Sequence, residues 1–131
     1  MPRKAYLKHE CLFFCMLMDE ILGPNFRYTI ELFVLREFGI SENLGSLLLK
    51  NPRLVYMTLT RLMPFPETAY FVLKSVLHTI GREYDLEMDE DLVIHAMLLN
   101  DRLIVGKFLR ELWLRGRKKL GLGDMMKSFK P

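Results

Sequence analysis

Leucine occurs 25 times in this chain against 12 for valine and isoleucine together, and that imbalance constrains the fold more than any other feature. Leucine keeps most of its rotamer freedom in a helix, whereas β-branched side chains stiffen there and favour strands. The chain is therefore read as all-α. Its 131 residues are a one-domain length, enough to bury roughly two thirds of the unfolded surface. With 50% apolar and 27% charged residues it has the balance of a globular domain and not of a disordered one.

Proline and glycine cut the sequence into about six helices, expected to form an orthogonal or bundle-like array. The first runs from Ala5 to Leu22 and stops at Gly23-Pro24. Asn25 is placed to cap the second, whose Phe26, Ile30, Phe33, Val34 and Phe38 keep helical spacing up to Gly39. Ser41 is placed to cap a short third helix through Leu44, Leu47 and Leu48. Asn51-Pro52 puts a cap residue before a proline at the first position of the fourth. Pro64-Phe65-Pro66 ends that helix and starts the fifth, which carries the most regular stripe: Ala69, Val72, Leu73, Val76, Leu77, Ile80 and Tyr84. Asp89 is the expected cap of the sixth. Asn100-Asp101 either breaks that helix or forms a polar turn within a single long one reaching Leu120. Residues 1–120 make the domain, and 121–131 a short polar tail expected to be mobile.

The eight residues Cys11–Met18 are all apolar. A helix apolar all round is buried on all sides, so Phe13, Phe14 and Met18 are assigned to a central helix or to a dimer interface. Eight residues are too few to span a bilayer. The run follows Arg3, Lys4 and Lys8, but Asp19-Glu20 and Gly23-Pro24 come after it where a secretory signal has a small-residue cleavage site. The chain is read as cytoplasmic. It has no glutamine and four asparagines, a composition that leans towards a thermophile, against which stand nine oxidisable methionines.

The residues that could carry chemistry are scattered. Cys11 and Cys15 share a helix face beside His9, but a structural zinc site needs four ligands, and His78 and His95 lie far along the chain. Both cysteines sit in the apolar run, where a free thiol packs as a small hydrophobe. The acidic run Asp85–Asp91 imitates a calcium loop, yet the sixth position is Glu90 where glycine is needed and the twelfth is Ala96 where a bidentate Glu is needed. Ser41, Ser46, Ser75 and Ser128 have no glycine elbow, and Gly121-Leu122-Gly123 lacks the lysine of a phosphate loop. No enzyme, metal or cofactor is read from these residues.

Two features point to a binding role. Residues 44–63 have the outline of a helix-turn-helix, with Arg53, Tyr56, Thr58, Thr60 and Arg61 available to a major groove. Farther on, Arg110, Arg115, Arg117, Lys118 and Lys119 crowd the end of the last helix around Trp113, more cations than the helix dipole requires. An acidic joint within residues 82–101, with Glu83, Asp85, Glu87, Asp89, Glu90, Asp91 and Asp101, precedes this basic end, so internal charge complementarity or two solvated faces is the simplest account of both.

Glu20-Ile21-Leu22-Gly23, Phe38-Gly39-Ile40, Asn51-Pro52 and the apolar spacing from Ala69 to Ile80 resemble a small archaeal all-helical family, found alone or fused behind sensor modules as an output domain. The resemblance covers about residues 12–84. The chain departs from it at Pro64-Phe65-Pro66, where a glycine-containing turn would stand, and in its charged C-terminal third. What it implies is an all-α signalling or regulatory module with no established chemistry. Two functions follow. One is a regulatory module that binds a protein partner or a second copy of itself, its basic end meeting an acidic surface. The other is a DNA-binding regulator using Arg53 to Arg61 or the C-terminal cations.

Overall fold

The computed structural model describes the backbone of residues 2–121 and the side chains of residues 8–119. The tail assigned to 121–131 lies, beyond Gly121, outside the described residues. The described chain is all-helical, with seven helices: α1 (Pro2–Leu22), α2 (Pro24–Phe38), α3 (Leu44–Lys50), α4 (Pro52–Leu62), α5 (Pro66–Glu83), α6 (Glu90–Leu98) and α7 (Arg102–Leu120). The count exceeds the expected six because the chain breaks at Asn100. There α6 ends in a Schellman turn: Asp101 N–H donates to Ala96 O (2.8 Å), Asn100 N–H donates to Met97 O (3.1 Å), and Asn100 is left-handed at φ 57°. Asp101 then caps α7, its Oδ1 accepting from Ile104 N–H at 3.3 Å.

Two other caps differ from expectation. Pro24 occupies the first turn of α2 behind Gly23, whose φ of 88° suits glycine, so Asn25 is already helical. Asn43 and not Ser41 caps α3, because the helix begins only at Leu44 and the Asn43 side chain accepts from Ser46 N–H at 2.7 Å. Asn51 and Asp89 cap α4 and α6 as their positions suggested.

Helix α4 packs against α2, α3, α5 and α6, while α1 packs against α2, α3 and α7. Ile30, Leu47, Ile80, Ile94, Leu109 and Leu112 are fully buried between them. Phe13, Phe14 and Met18 point into this core, with Phe13 edge-on to Tyr84 and Trp113, and Phe14 edge-on to Phe108. The expectation that α1 is buried all round is corrected: Leu12 is 47% and Met16 38% exposed. Helices α2, α3 and α7 pack around α1 and leave one side of it to water. No helix among the described residues is long and apolar enough to cross a membrane.

Candidate interaction surface

The structure separates residues that the sequence grouped as one binding face. In the helix-turn-helix outline, a single residue, Asn51, joins α3 to α4. Arg53, Met57 and Arg61 face outward on α4. Tyr56 and Thr60 are half-buried, and Thr60 Oγ1 donates back to Met57 O (2.7 Å). Thr58 is 1% exposed, its Oγ1 unpartnered inside the core. A groove-reading face cannot include it.

The C-terminal cations are partly engaged by the chain itself. Lys119 donates to the Glu83 carbonyl, lies 4.0 Å from the Glu83 carboxylate and sits over the Tyr84 ring. Arg117 lies 6.0 Å from the Trp113 ring centroid, and Trp113 itself stacks on His9. Arg115 and Lys107 share a cleft of about 420 Å³ with Asp85, Glu87, Asp89 and Glu111 over a floor that includes Ile104 and Phe108. The acidic joint and the basic helix therefore face one another across one cleft. Arg110 and Lys118 complete the basic side on the exposed face of α7.

Nor does Arg53 sit among these cations. Arg53 N–H donates to Asn100 Oδ1 (3.2 Å), which places the start of α4 beside the start of α7. Arg115 is thirteen residues farther along α7, roughly 20 Å at 1.5 Å per residue. Arg53 therefore lies at the opposite end of α7 from Arg115, Arg117, Lys118 and Lys119.

Where α4, α6 and α7 meet, a different surface appears. Asn100 serves two helices, ending α6 through its backbone and satisfying a first-turn N–H of α4 through its side chain. Leu99 in this turn and Leu103 in the first turn of α7 are 80% and 86% exposed, against the more covered Leu98. Arg53, Arg102 and Lys107 lie exposed around them. Two exposed leucines flanking the Asn100 turn, with exposed cations before and after Leu103 on α7, offer an amphipathic contact surface. The sequence reading missed Leu99 and Leu103. The available signal was a leucine pair directly before an Asn-Asp stop, where a helix phase no longer dictates which way a side chain points.

The cysteines are free and buried. Burial, aided by the neighbouring Cys15, pushes the Cys11 thiol up to about 11, and burial likewise raises Cys15. Both are neutral at physiological pH, the opposite of a reactive thiolate. Cys15 Sγ has a structural task instead, accepting from Gly45 N–H at 3.3 Å. On the far side of the molecule Tyr70 donates to the Asp91 carboxylate, which holds that carboxyl below its usual range and the Tyr70 phenol up to about 12. Among the described residues no three His, Cys, Asp or Glu side chains converge as a metal site.

No protein-family model, curated protein or solved structure matches this chain.

Proposed function

We propose that this chain is a cytoplasmic protein-interaction module of a regulatory system, and that it receives an acidic amphipathic segment of its partner at the α6–α7 corner. The observation that carries the reading is the exposure of Leu99 and Leu103 on a turn fixed by Asn100, with Arg53, Arg102 and Lys107 around them. Exposed leucines supply the apolar contact, and the surrounding cations steer and orient a negatively charged partner. The resemblance of residues 12–84 to an archaeal output-domain family has the same tenor. A DNA-binding reading has the outward Arg53 and Arg61 and the exposed part of the α7 cations in its favour. The distance of Arg53 from the end of α7 and the inward Thr58 weigh against a single nucleic-acid face.

Selection of binders from a random peptide display library tests the proposal. Enriched peptides should combine Asp or Glu with leucine or aromatic residues at helical spacing. Their binding should shift the amide resonances of residues 98–103 and vanish in the Leu99→Ser/Leu103→Ser variant. Binders that ignore this double substitution would place the docking surface elsewhere. Duplex DNA binding at low salt, with log affinity falling by about 0.9 per phosphate contact against log salt, would favour the second reading if Arg53→Ala and Arg61→Ala abolish it.

A further inference from the structure

We infer that the chain pairs with a second copy of itself through the outer ridge of α1. Lys8, Leu12, Met16 and Glu20 are the exposed side chains of α1 among those described, and they recur every four residues. Four such positions form one continuous i±4 ridge about 18 Å long. The flanks of the ridge are already occupied: His9 stacks on Trp113 of α7, and Asp19 holds Arg27 of α2 at 2.8 Å. Cys11 and Cys15 turn inward against α3. Among the described residues α1 packs on α2, α3 and α7, and the outer part of this ridge stays exposed, Leu12 by 47% and Met16 by 38%.

Its order of residues is self-complementary. A cation stands at one end, an anion at the other, and two apolar side chains lie between. A two-fold axis through the midpoint, between Leu12 and Met16, sets each Lys8 against Glu20 of the other copy and each Leu12 against Met16 of the other copy. All four positions then meet a suitable partner, as an isologous contact requires. A parallel arrangement would set Lys8 on Lys8 and Glu20 on Glu20. Charge order thus selects the antiparallel pair. Neither Lys8 nor Glu20 forms an ion pair among the described residues, so both are available to it. Aligning two i±4 ridges gives helices crossing at about −50°, the commonest packing class in globular proteins.

A single ridge covers less than the ~800 Å² per partner of a standard interface, so the dimer is weak and half-formed at about 100 µM chain. The inference is independent of the α6–α7 corner, and either can fail without the other.

Sedimentation equilibrium at low ionic strength, where exposed charges are least screened, reads the outcome. The wild-type chain should show a monomer–dimer equilibrium. K8E and E20K each turn two attractive contacts per dimer into repulsive ones and should weaken association about tenfold or more. The K8E/E20K double variant reverses the ridge and should return to within about threefold of wild type. Leu12→Ser should weaken the dimer while its circular dichroism and the thermal midpoint of the monomer stay those of wild type. A wild-type chain still monomeric at about 1 mM, roughly tenfold above the expected constant, overturns the inference. So does a dimer indifferent to the single reversals, or a double reversal no tighter than the singles.

Discussion

The starts of α3 and α7 are both helix N-termini reached after a sharp stop, and they are built on opposite plans. At α3 the first three N–H groups go to three different places. Leu44 N–H donates to Glu31 of α2 (2.7 Å), Gly45 N–H to Cys15 Sγ of α1 (3.3 Å), and Ser46 N–H to the cap Asn43 (2.7 Å). Glu31 is itself held by Arg27, which also holds Asp19, so α1, α2 and α3 share one polar network. At α7 the cap is local, Asp101 to Ile104, and Leu103 in the same first turn faces water. The first junction is fixed by its neighbours, residue by residue. The second is fixed mainly by its own turn, with one bond to α4 through Asn100, and leaves Leu99 and Leu103 free. That difference separates architecture from contact surface: substitutions at the α3 junction should act on stability, and those at the α7 junction on binding.

Gly45 gives the sharpest test of the buried side. A Cβ there would run into the Cys11 backbone, carbonyl included, and backbone cannot step aside as a side-chain tip can. Gly45→Ala should cost about 3 kcal/mol, measured by urea unfolding. Gly116→Ala meets the Phe13 ring instead, which is itself wedged against Tyr84 and Trp113. About 2 kcal/mol is expected there, since a ring can shift a little. If Gly45→Ala proved the milder of the two, the close α1–α3 approach would not be the tighter seam.

How much of this contrast the sequence discloses depends on how local its cause is. Asn51-Pro52 and Asp89 mark helix starts because cap and helix are neighbours in the chain. Asn43 escapes such reading. The start of α3 is decided by Glu31 and Cys15, 13 and 30 residues before the groups they accept from. Asn100 was legible as a stop or a turn, but its service to α4 comes from 47 residues away. The outline of α3 and α4 was legible too, although nothing in the sequence shows that Thr58 turns inward under four surrounding helices. Leucine content identifies the helices and says nothing about Leu99 and Leu103, because apolar character alone does not tell a core face from a contact face.

The thiols offer a pH test of the same buried seam. Cys11 ionises near 9 when exposed and is pushed up to about 11 in the fold by burial. The folded state therefore binds a proton that the unfolded state has released. Stability from this group is intact below pH 9 and falls as pH rises through 11, by about 2.7 kcal/mol in all for the rise from 9.0 to about 11. Urea midpoints of wild type and Cys11→Ala between pH 8 and 10.5 isolate the effect. Parallel curves for the two proteins would mean that Cys11 is not desolvated.

At the α7 junction the expected energies are smaller. Asn100→Ala forces a side-chain residue into the left-handed region and removes the acceptor of Arg53 N–H, and should cost about 1 kcal/mol. Asn100→Gly keeps the backbone and loses only the acceptor at an exposed helix start, where water substitutes, so about half that cost is expected. Equal costs for Ala and Gly would show that the left-handed turn is not what holds the corner.

The smallest expected effect on stability is the most informative for function. Leu99 and Leu103 lose almost no water-accessible area on folding, so replacing both with serine forfeits almost no burial. The change in unfolding free energy should stay within about 0.5 kcal/mol, with an unchanged denaturant slope. Leu109→Ala, a fully buried substitution six residues beyond Leu103 on α7, supplies the scale at about 3 kcal/mol. A stability-neutral double variant that loses the selected acidic peptides would show leucines retained in water for a partner. Suppose instead that Leu99→Ser/Leu103→Ser unfolded more than 1 kcal/mol more easily. The two side chains would then pack on the fold itself, and the junction of α6 and α7 would be architecture of the same kind as the start of α3.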